Sequence, residues 1–222
     1  MKKLKLLFLF ISLAALGQDN DSNVWSGFDT NGFSGVFYNR VTPVEGTTYL
    51  FDNWEQDAIV HKILKDKFLV RRVNLNLNKM SFDAKITESE DVLSFSFDGI
   101  DKIEINKRIY KNILYNNSKI LFELLYDTDK IKFMKGFEVK LIKASKDPMV
   151  NRPFDKYVKS ESYYLMNEEI ITKIKLKKKI IYNTLKLNKT EISNLDSFIK
   201  STSISLKKEQ DIIKLLMYLN SN

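Results

Sequence analysis

The chain of 222 residues has no cysteine, one histidine, three prolines and seven glycines. Without cysteine it can have no disulfide framework, no Cys–His catalytic pair and no lipid attached to a cysteine at a leader cleavage site. With His61 as the sole imidazole, zinc is close to excluded, because its usual sites draw on several Cys or His ligands. A Ser–His–acid triad would have to use His61, and no Gly-x-Ser-x-Gly elbow is present. His61 shares strand parity with Ile59 and Ile63 and reads as a structural or surface residue. Neither glycine-rich phosphate motif occurs, so no cofactor is called for. So few glycines and prolines also argue against long disordered linkers.

The N-terminus, by contrast, carries a recognisable plan. Lys2, Lys3 and Lys5 precede an apolar run of 11 residues, Leu6 to Leu16, and Ala15-Leu16-Gly17 forms a small-x-small site before Gln18. This is the layout of a secretory signal peptide over residues 1–17, too short for a membrane span, which needs roughly 18 or more apolar residues. No second apolar span follows, so the expected product is a soluble periplasmic or secreted protein with no transmembrane segment. Three of the lysines behind the formal charge of +8 sit in the leader, which has no acid, leaving a mild +5. That balance does not require nucleic acid as a partner. Exported domains from oxidising eukaryotic compartments often carry disulfides, so their absence here favours a bacterial envelope or secreted protein.

Residues 18–45 read as an irregular lead-in ending in a strand near Val36–Tyr38. "DNDSNV" opens like a calcium-binding EF-hand loop, but Val24 stands where glycine is needed and Thr30 where a bidentate glutamate is needed. From residue 46 to 176 period-two alternation dominates, predicting an antiparallel β-meander. Leu69, Val73, Leu75 and Leu77 share one parity, broken by Arg71. Met80, Phe82, Ala84 and Ile86 follow a two-residue turn at Asn78-Lys79, and Leu93, Phe95 and Phe97 point inward. Further hairpins are expected at Asp98-Gly99, Asp127–Lys130 and Asn167-Glu168, with a bulge at Gly136. Over 177–222 the period becomes helical: Ile192, Leu195, Phe198 and Ile199 form one stripe, and Ile212, Leu215, Leu216 and Leu219 another. Asn188 with Glu191 suggests a capping box, and Ser205 an N-cap for the last helix. The expected fold is mainly β: a curved sheet or partly closed barrel with two or three short C-terminal helices.

Two clusters carry possible chemistry. Asp52, Glu55 and Asp57 lie in and beside "GTTYLFDNW", and paired carboxylates about 5–10 Å apart could hydrolyse an envelope glycan. The same segment reads more simply as a short strand, with Tyr49 and Phe51 on one side, anchoring the core. The sharper feature is "KIKLKKK", with no acid from Ile170 through Thr190. On a strand, Lys173, Lys175 and Lys177 face one way, followed by Lys178 and Lys179. Such a run commonly forms a solvated face that protects a sheet edge. It also suits an anionic lipid headgroup or an acidic polysaccharide, whereas nucleic acid would want interleaved aromatics and finds only Tyr182 nearby.

The order of these signals has a further implication. Gly46, Tyr49, Leu50, Phe51 and Trp54, then Tyr163 and Tyr164, then Lys177–Lys179, then Ser205, Lys207, Glu209, Tyr218 and Asn220 resemble the pattern of a group of uncharacterised exported proteins of Bacteroidota. The resemblance implies export and a β-then-helix layout, and carries no catalytic residues. The function expected is a non-catalytic binding or structural module of the cell envelope, contacting an envelope protein or one of the anionic partners above. A glycan hydrolase using Asp52, Glu55 or Asp57 is the alternative.

Overall fold

The structure is a computed structural model that describes residues 24–28, 34–38, 43–64, 66–86, 91–145, 147, 149–150 and 152–221. The leader at 1–17 and positions 19–23 of the calcium-like loop lie outside the described residues. The chain divides into two units, residues 1–42 and 43–222. In the first, β1 (Val24–Phe28) and β2 (Ser34–Tyr38) form an antiparallel hairpin, so the lead-in holds two strands where one was expected.

The second unit holds β3 (Gln56–Lys62), β4 (Lys67–Asn76), β5 (Ser81–Lys85), β6 (Val92–Phe95), β7 (Ile100–Ile105), β8 (Arg108–Tyr115), β9 (Ser118–Asp127), β10 (Ile131–Ile142), β11 (Lys156–Asn167) and β12 (Ile170–Ile174). They form one antiparallel sheet in the order β12-β11-β10-β9-β8-β7-β3-β4-β5-β6. Three helices follow: α1 (Lys178–Leu185), α2 (Lys189–Thr202) and α3 (Glu209–Ser221). The mainly β architecture with a helical C-terminus is therefore as expected, and the sheet is open.

Turn chemistry explains most of the hairpins. Asn106-Lys107, Asn116-Asn117 and Glu168-Glu169 are two-residue turns with both φ values positive, matching the strand twist. Asn tolerates this conformation; the Glu168-Glu169 pair adopts it with no such help. The turn between β4 and β5 spans residues 77–80, because Asn76 pairs with Ser81; the expected two-residue loop is too short.

A bulge corrects the β4 pattern. Ala58 pairs with Val70 but Gln56 pairs with Val73, so Arg71 and Arg72 together oppose Asp57. The extra residue shifts parity mid-strand. Val73 and Leu75 are buried, whereas Leu69 falls on the other face and is 57% exposed.

Asp98-Gly99 is a turn, with Gly99 at φ +74, but not a hairpin between paired strands. It links β6 to β7, which lie four positions apart, about 19 Å across a flat sheet. Five Cα steps from Phe95 to Ile100 reach about 18 Å only when fully extended, and here they include a turn closed by Ile100 N–H donating to the Phe97 carbonyl. The β7-β3-β4-β5-β6 end must therefore roll. Ile63 N–H donating to the Gly99 carbonyl at 3.1 Å extends the β3–β7 pairing, and Phe82 stacks at 4.9 Å on Phe95, its β6 partner.

The roll encloses a core of Ala58, Val60, Val73, Leu75, Phe82, Ile103, Ile105, Tyr110 and Phe137. At the other end the helices bury Ile181, Leu185, Leu195, Ile212, Leu215 and Leu216 against Phe133, Leu165 and Ile174. A third cluster, Phe122, Met134 and Tyr164, uses the opposite parity of β10. It explains Gly136: a Cβ there would stand 2.8 Å from the Tyr164 ring and 3.0 Å from the Phe122 ring. The two rings meet edge-to-face over the glycine, so Gly136 makes room for aromatics and is not a bulge. The bulge near it is on β9, where Leu125 is the extra residue.

The stretch Gly46–Trp54 is a strap and not a strand. Leu50 N–H donates to Leu75 O, Leu77 N–H donates to Thr48 O, and Tyr49 bridges to Asn76. Buried Asn74 accepts from Phe51 N–H and donates to the carbonyls of Phe51 and Asn53. Buried Asp83 accepts from Tyr49 OH at 2.9 Å, Asn76 at 3.1 Å and Ser81 at 2.8 Å. Burial and the Asp83 carboxylate push the Tyr49 phenol up to about 12. Leu50 and Phe51 both pack on the rolled core, so this segment does anchor it.

The capping box at Asn188 and Glu191 forms, with both reciprocal bonds present. Ser205 does not cap α3, which starts four residues later. Its backbone N–H instead donates to Asp211 inside the helix at 2.8 Å.

A candidate anion-binding groove

β12 stops at Ile174, and α1 begins at Lys178. The lysine run therefore spans a strand end, a connection and a first helical turn, correcting the single strand face expected of it. Lys177 N–H donates to the Lys175 carbonyl at 2.7 Å, and the Lys177 carbonyl accepts from Ile180 and Ile181, so this bend starts the helix. Ile181, Tyr182 and Leu185 fix α1 on the second core.

The bend leaves a groove of about 820 Å³ between the β12–α1 connection and β11. Ile174, Leu176, Ile180 and Tyr163 give it an apolar floor; Lys173, Lys175 and Lys177 line it, with Glu161 and Ser162 opposite. Lys173 lies 3.8 Å from Glu138 and over the Tyr164 ring. Lys175 and Lys177 are exposed and have no carboxylate partner among the described residues. Lys178 is turned elsewhere, 2.7 Å from Asp196 and over the Tyr182 ring. Lys179 is exposed and lines no part of the groove. The structure thus brings together three of the five lysines.

Glu138, Asp196 and Glu161 offset part of the local charge. α1 has no acid in its first turn and no side-chain cap, while lysines occupy its cap and first two positions. Cations there oppose the helix dipole, an arrangement unfavourable by a few tenths of a kcal/mol per charge. An anion in the groove would reverse that sign.

Under the groove lies a buried network that the sequence reading missed. Tyr163 OH donates to Glu209 at 2.6 Å, and Lys135 donates to the same carboxylate at 2.6 Å. Lys135 is also 3.7 Å from Glu161, and it pairs across the sheet with Glu123, which is 3.3 Å from Arg108. Burial raises Glu123 above the usual carboxylate range against the pull of Arg108 and Lys135. Burial also pushes Glu209 up, but the bonds from Lys135 and Tyr163 outweigh it and hold Glu209 low. Burial and the Glu209 contact raise the Tyr163 phenol. A charged residue with core parity in each of two neighbouring strands, Glu123 and Lys135, was the signal available. The network ties the start of α3 to the sheet beneath the groove.

The other cluster is dispersed. Asp52, 94% exposed, pairs with Lys159 at 3.0 Å, and Glu55 accepts from Asn53. Asp57 accepts from Arg72 N–H. Asp57 lines a groove with Arg71, Arg72 and Lys85 but no second carboxylate. His61 lies half-buried, 3.7 Å from Glu104. Among the described residues no cluster of three or more His, Asp or Glu could hold a metal ion, and no helix is long and apolar enough to cross a membrane.

No family model, curated protein or solved structure matches the chain.

Proposed function

We propose that the protein is an exported, non-catalytic binding module of the bacterial envelope that takes an acidic polysaccharide chain in the β12–α1 groove. The observation that carries this is the pair Lys175 and Lys177, un-neutralised and lining an apolar-floored concavity with Lys173. Concavity favours a single chain lying along the groove over the broad face of a bilayer. Sugar rings offer apolar faces to Leu176 and Ile180, and their carboxylates meet the ammonium groups. The leader pattern and the cysteine-free composition support export. The hydrolase alternative gains nothing from the grooves described, none of which is lined by two of Asp52, Glu55 and Asp57.

Calorimetric titration with polygalacturonate tests the proposal. The expected result is salt-sensitive binding that weakens about tenfold or more in Lys175→Glu/Lys177→Glu and little in Lys179→Glu. Equal binding by all three proteins would refute it.

A further inference from the structure

A second cationic surface lies six strand positions from β12, at the turn joining β3 to β4. Its tip presents Ile63 and Leu64, which are 67% and 84% exposed. They project beyond the edge of the rolled core, where Phe68 and Phe95 are also partly exposed. No sheet or helix packs on the tip among the described residues.

The surrounding charge is biased. Lys62 and Lys67 flank the tip, and Lys102 lies beside His61 on β7. None of the three has a carboxylate partner among the described residues, and Lys62 sits over the Phe68 ring at 5.7 Å. Two neighbouring acids are taken, Asp98 by Lys119 at 3.1 Å and Asp101 by Lys111 at 2.8 Å, while Glu104 lies 3.7 Å from His61 and subtracts a charge. Asp66, on the same turn, subtracts one charge. The result is a pair of exposed apolar side chains at the rim of a shallow apolar hollow, with these lysines on either side.

We infer that this tip is a membrane contact: Ile63 and Leu64 enter the acyl boundary of an anionic phospholipid surface while Lys62, Lys67 and Lys102 meet its headgroups. The layering matches an interface that is apolar inside and negatively charged outside. Long lysine side chains reach back to the headgroup level as the apolar residues go in. The inference stands independently of the β12–α1 groove.

Co-sedimentation with phosphatidylcholine vesicles, with and without about a quarter phosphatidylglycerol, tests the inference. The protein is expected to bind the anionic vesicles and be released by salt. Ile63→Asp/Leu64→Asp and Lys62→Glu/Lys67→Glu should each lower partitioning about tenfold or more, with circular dichroism unchanged. Leu64→Trp should add blue-shifted emission on binding, quenched by lipids brominated in the acyl chain. Unchanged partitioning of the double Asp variant, or a tryptophan that stays in water, would overturn the inference. So would loss of vesicle binding in Lys175→Glu/Lys177→Glu alone, which would move the contact to the groove. Self-association abolished by the tip variants, without vesicle binding, would assign the tip to a second copy instead.

Discussion

The two edges of the ten-stranded sheet are finished in opposite ways. At β12 the chain turns off into three helices that cover Leu165 and Ile174, and the strand carries Lys173 on its exposed side. At β6 nothing follows but the crossing to β7, and Val92, Leu93, Ser94 and Phe95 are all exposed. Charged residues on an edge discourage pairing with other chains; a bare apolar edge does not. Rolling the sheet partly answers the problem by bringing β6 toward the core, but among the described residues its outer edge pairs with no strand. The capped edge bears the lysine-lined groove and the buried network, while the rolled end bears the apolar tip. Each end thus exposes what its construction left uncovered.

The largest effect is expected from removing the bolt under the capped edge. Glu209→Ala leaves Lys135 buried with only Glu161 at 3.7 Å, and should cost about 3 kcal/mol in denaturant unfolding. It should also lower hydrogen-exchange protection around Ile174 while sparing the rolled core. Its pH dependence has a definite sign. Glu209 has a depressed folded-state pKa, so its stabilisation is complete above the ordinary glutamate range and lost as pH falls through the depressed value. Glu123 is raised, so its ionisation works against the fold as pH increases through its own raised value. Glu123→Gln should therefore flatten the fall in stability above the ordinary glutamate range, and Glu209→Ala should weaken the acid-side loss.

Next comes the aromatic cluster on the other side of β10. Gly136→Ala drives a methyl against the Tyr164 and Phe122 rings, and about 2 kcal/mol of destabilisation is expected by chemical denaturation. A smaller change goes the other way. Glu168 and Glu169 hold φ values of +49° and +70° between β11 and β12, so Glu168→Asn/Glu169→Gly should stabilise by about 1 kcal/mol, read as a raised melting temperature. The smallest change sharpens the comparison most. Leu93→Lys should alter stability by no more than about 0.5 kcal/mol, yet reduce light-scattering aggregation on heating by giving β6 the charge β12 already has.

Local chemistry was legible in the sequence, and long-range packing was not. The hairpin at Asp127–Lys130, the helical stripes and the Asn188–Glu191 box are set by residues within a few positions of one another, and all appear. The bulge at Arg71–Arg72 was visible only as a break in parity, whose consequence for Leu69 needed the partner strand. Leu93 and Phe95 share the expected face, but burial fails because β6 is the last strand, a fact of topology that alternation cannot carry. The lysines were misassigned to one strand face because Lys–Ile alternation fits the end of a strand and the start of a helix equally well. The groove exists because that change of period falls between Ile174 and Lys178. Asp52, Glu55 and Asp57 were near in sequence, and a strap that bends over β4 sends them to different neighbours.

The most direct test of this division is one pair of variants measured against one pair of ligands. Lys175→Glu/Lys177→Glu should lose polygalacturonate binding and keep anionic vesicle binding, while Ile63→Asp/Leu64→Asp should do the reverse, each by about tenfold or more. If both variants lose the same ligand, or neither loses any, the assignment of an anionic chain to the groove and a membrane to the tip is wrong.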